Sequence, residues 1–180
     1  VRDAVQRSLD RLQTDRLDML QYHAWHYPDP AWLDSLFSLQ ELKSEGLIGH
    51  LGLTNFDAAH LRIALASGIE ILTNQVSHSL IDQRAAGAMA HVCNQYGVHL
   101  LAYGTLAGGF LSEKWLGKDE PANDRLDTWS QMKYKRFIDV AGGWEKFQEL
   151  LKVLDDVARK HGVTIATVSS RTMLDQPGVG

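Results

Sequence analysis

The order of apolar segments in this 180-residue chain predicts an α/β fold on parallel strands, an incomplete (β/α)8 barrel. Three observations carry that expectation. Short apolar runs alternate with stretches of helical period from residue 2 to Pro177. Four of the runs deliver polar or aromatic side chains at their carboxyl ends. L-D-M-L-Q-Y ends at His23, L-I-G-H-L-G-L-T-N-F supplies Thr54 and Asn55, I-E-I-L-T ends at Asn74 and Gln75, and V-H-L-L-A ends at Tyr103. Finally, no G-x-G-x-x-G follows a strand, which counts against an open dinucleotide-binding sheet, whereas barrels build sites from successive strand ends. Closure needs eight strands, and four are read here.

Each element has a local cause. Residues 2–13 repeat Val5, Leu9 and Leu12 on one helical face, and the polar turn Gln13 to Arg16 closes them. After the strand at 17–22 comes an aromatic loop, Trp25, His26 and Tyr27, between prolines. Asp29 and Pro30 then open a helix, the carboxylate accepting orphan N–H groups and the proline suiting the first helical position. Gly46 is a left-handed stop. In the run 47–56, Gly49 and Gly52 leave room where backbone or ligand comes close. Asp57 caps a helix ending at Gly68, although Asn55 reads equally as that helix's cap. Residues 69–73 form the third strand, Asp82 caps a helix reaching Tyr96, and 98–102 form the fourth strand. Beyond the glycine-rich Gly104–Gly109, residues 110–143 hold no clean period and are predicted to be a long loop. A helix from Trp144 stops at Gly162, and Thr164 caps the last one. The whole reads as one domain, 1–180.

Composition bounds the function. A 44% apolar content is ordinary for a globular protein. A net charge of -4 without a basic run gives no attraction to nucleic acid or anionic membranes. No apolar run approaches the roughly 18 residues of a membrane span, and no signal peptide is visible. The single cysteine, Cys93, forms no internal disulfide and lies in the stripe Met89, Val92, Cys93, Tyr96, so it reads as a structural thiol. Cytoplasmic residence is expected. The chain opens at Val1 already inside a helical pattern and ends after a Pro-Gly turn, as an excerpt of a longer protein would.

Four landmarks then recur in one order and spacing: L-D-R-L-Q-T-D-R-L-D-M-L-Q-Y-H with Trp25 close behind, E-G-L-I-G-H-L-G-L-T-N-F, N-Q-V-S-H-S-L, and A-Y-G-T-L-A-G-G-F-L-S-E-K. With them the chain resembles the central and later part of an aldo-keto reductase. The resemblance implies an NAD(P)H-dependent reductase of small aldehydes or ketones, with NADP(H) expected over NAD(H) and no metal. It implies that His23 orients the substrate carbonyl, as an imidazole N–H facing a developing alkoxide can. It implies that Asn55 and Gln75, with Thr54 beside them, bind the nicotinamide carboxamide, since amides offer donor and acceptor together. Tyr103 would stack on the nicotinamide ring. Gly104, Thr105, Leu106, Ala107 and Gly109 would approach the pyrophosphate, with Lys114 adding charge. Trp25 and Tyr27 would line the substrate opening.

The loop departs from the family pattern, with Y-G-T-L where Y-S-P-L is commoner, so it is less preset. The resemblance also places the family's proton-donating tyrosine, its lysine and its aspartate upstream of Val1, and the adenosine-reading group beyond Gly180. Tyr22, Tyr27, Tyr96, Tyr103 and Tyr134 match no part of the donor motif, and the segment alone is expected to be inactive. Rival readings are a nicotinamide-sensing regulatory subunit with little turnover, a metal-dependent barrel hydrolase using His23 and His26, and a fragment without function. Substrate identity and oligomeric state are not legible.

Overall fold

The computed structural model describes residues 1–122 and 125–180. Helix α1 (Arg2–Leu12) leads into strand β1 (Leu17–Tyr22), then α2 (Ala31–Ser44), β2 (Ile48–Thr54), α3 (Ala58–Ala66), β3 (Ile71–Ser77), α4 (Ala88–Tyr96) and β4 (His99–Tyr103). Helices α5 (Trp129–Val140), α6 (Gly143–His161) and α7 (Ile165–Leu174) follow two single turns of 3-10 helix at Ala107–Gly109 and Glu113–Trp115.

The four strands lie in sequence order in one parallel sheet. β1 pairs with β2 from Leu17↔Ile48 to Tyr22↔Leu53. β2 pairs with β3 across a register shift between Leu51 and Gly52, and the shift sets Thr54 opposite Gln75. The glycines of β2 explain how neighbours fit. A Cβ at Gly49 would stand 2.6 Å from the Asp18 carbonyl, and one at Gly52 only 2.4 Å from Thr73 Oγ1. The room they leave is filled by adjoining strands of the sheet, not kept for a ligand.

The chain divides into two compact units. The first comprises residues 1–76, 88–101 and 180. Leu36 and Leu42 of α2, Ile48, Leu51 and Leu53 of β2, Leu61 of α3 and Leu100 of β4 are almost wholly buried there. Each such side chain contributes about 1.5–3 kcal/mol by leaving water. Cys93 is fully buried in α4, and burial pushes its thiol up to about 11. The Gly180 N–H donates to the Leu100 carbonyl at 3.3 Å. The second unit comprises residues 77–87 and 102–179. Its core gathers Phe110, Leu111, Tyr134, Ile138, Phe147 and Leu151, with Trp115 and Trp144 packed against it.

Most expected boundaries are found. Gly46 has φ 85°, Gly162 is left-handed, Asp57 accepts the His60 N–H at 2.8 Å, and Thr164 accepts that of Thr167 at 3.1 Å. Three expectations need correction. β3 does not stop at Thr73; it continues through Asn74 and Gln75 to Ser77, because Gln75 still pairs with β2. Asp82 does not cap a helix, since α4 starts only at Ala88. Its carboxylate instead accepts from Arg84 Nε and Nη2, each at 2.7 Å, within a tight turn that pairs Ser79 with Asp82. The loop predicted over 110–143 contains α5. Thr128 accepts the Gln131 N–H at 3.1 Å while Gln131 reaches back to the Asp127 N–H at 2.8 Å. That is a reciprocal cap of the kind that starts helices. Among the described residues no helix is long and apolar enough to cross a membrane.

Candidate functional site

In the first unit, β1 hands the chain to His23, which is half-buried with its ring centroid 4.2 Å from that of Trp25. Trp25 itself is 86% exposed, so its ring is available to small molecules while packing on His23. Ala24, His26 and Asp29 line the same shallow pocket as these two. Among the described residues, no group of three or more His, Cys, Asp or Glu side chains is placed to hold a metal ion.

Thr54, Asn55 and Gln75 come together where β2 ends. Thr54 and Gln75 are register partners, and the Asn55 N–H donates to the Gln75 carbonyl at 2.8 Å. Asn55 has φ 58°, a left-handed conformation that asparagine tolerates better than most residues. Its carbonyl accepts from the Tyr27 hydroxyl at 3.3 Å. Thr54 and Gln75 are half-buried and Asn55 is exposed.

Tyr27 sits in a packed aromatic group. Its ring stacks on His60 with centroids 3.9 Å apart and meets Phe56 and Trp32 edge-on at 5.3 and 6.0 Å. His60 Nδ1 lies 2.9 and 2.8 Å from the two Asp57 oxygens. Burial pushes the Asp57 carboxyl up, but hydrogen bonds from the His60 backbone and ring more than offset this and hold it below its ordinary value. Burial, followed by the charge of Asp57 and the presence of Tyr22, pushes the Tyr27 phenol up to about 12. Tyr27 therefore remains a donor at neutral pH.

Asn74, named with Gln75 at the end of the third apolar run but given no role there, adds to the site. Asn74 is completely buried in β3, donates to the Phe56 carbonyl at 3.0 Å, and has no partner for its side-chain oxygen. Its place next to Gln75 was the available signal.

In the second unit, Tyr103 ends β4 and its carbonyl accepts the His78 N–H at 3.1 Å. The Lys133 ammonium from α5 stands 5.0 Å from the Tyr103 ring centroid. Gly104 starts a compact turn, with Ala107, Gly109, Phe110 and Leu111 donating to carbonyls of the same loop. The smallness of this loop has a use the sequence did not reveal. A Cβ on Gly104 would fall 1.8 Å from the Tyr134 hydroxyl, and one on Gly108 would lie 2.9 Å from the Tyr134 ring. Tyr134 is thus seated against the glycine backbone. Around Gly109 there is open space. Thr105 and Leu106 are half-buried and Ala107 fully buried. Lys114 is exposed and leans over the Trp115 ring at 5.3 Å, next to its own position in the chain. Neither Lys133 nor Tyr134 was foreseen, because α5 was read as loop. The signal was T-W-S-Q, a cap pattern at residues 128–131.

Comparison with known proteins adds to this geometry. The model of the Aldo/keto reductase family matches residues 1–180. The chain is 32% identical over 200 residues to Protein tas of Escherichia coli, covering 99% of this chain and 56% of that protein. It is 31% identical over 177 residues to flagellar radial spoke protein 5 of Chlamydomonas reinhardtii, covering 88% of this chain and 33% of the other. Among solved structures, a glycerol dehydrogenase from Gluconobacter oxydans superposes with a TM-score of 0.82 at 25% identity, covering 99% of this chain and 52% of that one. The chain thus spans between a third and somewhat over half of these proteins, and its four parallel strands with their helices match part of a (β/α)8 barrel.

Proposed function

Since the chain belongs to the aldo/keto reductase family, we propose that it supplies the nicotinamide-holding and carbonyl-orienting residues of an NAD(P)H-dependent reductase of small aldehydes and ketones. The observation that carries this reading is the clasp of Asn55 to Gln75, which keeps two amide-bearing residues adjacent at the end of β2. An amide is the natural partner of a carboxamide, because each offers a donor and an acceptor. The fit at Asn55 and Gln75 is therefore chemical as well as positional.

In this reading Asn55 and Gln75, with Thr54, bind the carboxamide, and Tyr103 gives its ring face to the nicotinamide. Bound reduced nicotinamide supplies the hydride. Phosphate approach falls to the Thr105, Leu106 and Gly109 part of the loop, because Tyr134 fills the space beside Gly104 and Gly108. Lys114 adds positive charge. His23 directs an imidazole N–H to the carbonyl oxygen as negative charge develops, and Trp25 shields one side of that position. Proton donation is assigned to none of the five tyrosines of the chain. The protein's contribution is to hold both reactants in near-attack geometry. NADP(H) is the preferred cofactor and the cytoplasm the proposed compartment.

Replacing Gln75 by alanine in the full-length protein is expected to raise the NADPH dissociation constant several-fold, as followed by quenching of protein fluorescence. Unchanged affinity overturns the assignment. Carbonyl-dependent NADPH oxidation should be measured alongside; binding without turnover would make the protein a cofactor-sensing subunit instead.

A further inference from the structure

We propose that Tyr27 is a positioning residue for the nicotinamide, acting through the backbone of Asn55, and that Asp57 and His60 hold it in place. The inference rests on the reading of Asn55 as a carboxamide ligand given above. It assigns Tyr27 a task different from lining the substrate opening.

The argument starts from Asn55. Its φ of 58° belongs to the left-handed region, uncommon for residues with a Cβ although asparagine tolerates it better than most. Two hydrogen bonds hold the backbone there, one on each side of the residue. Its N–H is fixed by the Gln75 carbonyl at 2.8 Å and its C=O by the Tyr27 hydroxyl at 3.3 Å. The first bond belongs to the sheet. The second is made by a side chain 28 positions earlier, from the loop that follows β1. A residue released from the left-handed region swings its Cα–Cβ bond, so holding the Asn55 backbone sets the direction in which its side chain leaves.

Tyr27 is in turn prevented from moving. Its ring is stacked on His60 and edged by Phe56 and Trp32. His60 is fixed through Nδ1 to the carboxylate of Asp57, which also accepts the His60 N–H. A carboxylate only accepts, so Nδ1 carries the proton and the ring plane is set. Asp57 caps α3, so the stack is anchored to a helix end. The chain of contacts runs from the α3 cap through His60 and Tyr27 to the Asn55 carbonyl, and every member lies in the first unit.

The conservative change Tyr27→Phe keeps the stack and removes only the hydroxyl. Steady-state kinetics on the full-length protein should then show KM for NADPH raised about two- to tenfold, the range of one lost hydrogen bond, with KM for the carbonyl substrate unchanged. A thermal melt within about 5 °C of the wild type certifies that the fold is intact. A raised KM for the carbonyl with NADPH unaffected would overturn the inference and return Tyr27 to the substrate opening. Unchanged values for both would overturn it as well. Gln75→Ala separates the two levels: if it weakens NADPH binding and Tyr27→Phe does not, the carboxamide reading stands and this inference fails. If neither does, the carboxamide reading itself has failed.

Discussion

Lys133 places its ammonium 5.0 Å from the centroid of Tyr103, the ring proposed to face the nicotinamide, and 5.1 Å from that of Tyr134. One helical residue thereby touches both the stacking ring and the tyrosine seated on the glycine loop. A cation over a ring at an exposed site contributes about 0.5–1 kcal/mol. Lys133→Met is therefore expected to loosen Tyr103 and weaken NADPH binding about two- to fivefold, a change that fluorescence titration resolves. Tighter binding in the variant would mean that Lys133 covers the face the cofactor uses.

Gly104 is irreplaceable for two independent reasons. It has φ 70°, and any Cβ there would collide with Tyr134. Gly104→Ala should cost about 2–4 kcal/mol in urea unfolding. Pairing it with Tyr134→Phe removes the nearest clashing oxygen and should recover part of the loss, leaving the ring carbon 2.6 Å away and the backbone strain. Full recovery would show that the left-handed conformation costs nothing here.

Asp82 gives the fold a dependence on acid. Burial pushes its carboxyl up, but hydrogen bonds, that of the Arg84 guanidinium foremost, more than offset this and hold it below the ordinary value. A carboxyl depressed in the folded state stabilises the fold above its unfolded value near 3.9, and that contribution vanishes as pH falls through the folded value. Between about pH 5 and pH 3 the wild type should lose more melting temperature than Asp82→Asn. Parallel losses in differential scanning calorimetry would refute the pairing. Arg84 is largely exposed, so solvent screening keeps the effect modest.

Much of this was legible in the sequence, for identifiable reasons. A strand buried in a parallel sheet writes itself as an apolar run, so the body of 47–56 falls where expected; 17–22 does too, although only Leu17 of that strand is buried. Glycine stops at 46 and 162 and caps at 57 and 164 are short-range chemistry, readable from a few neighbours. What failed needed long-range knowledge. The end of β3 is set by pairing with β2, and pairing is invisible in a single strand. Asp82 had the composition of a cap, but an arginine two positions on claimed it. Helix α5 buries Tyr134, Lys135 and Ile138, too few apolar residues for a period to show. Lys135 is buried only because Glu120 and Asp139 both bridge it at 2.5 Å. Of the proposed site, the residue types at strand ends were readable. The clasp between Asn55 and Gln75, the hydroxyl on the Asn55 carbonyl and the cation over Tyr103 were not, since each joins segments far apart in the chain.

The burial of Cys93 has a practical consequence. The chain's only sulfhydryl is sealed within α4 and stays protonated across the neutral range. Alkylating reagents and mild oxidants meet it only when that helix opens, so the native protein carries its own clock for local unfolding. Within these 180 residues, a cysteine introduced at an exposed position would react with a fluorophore in preference to Cys93.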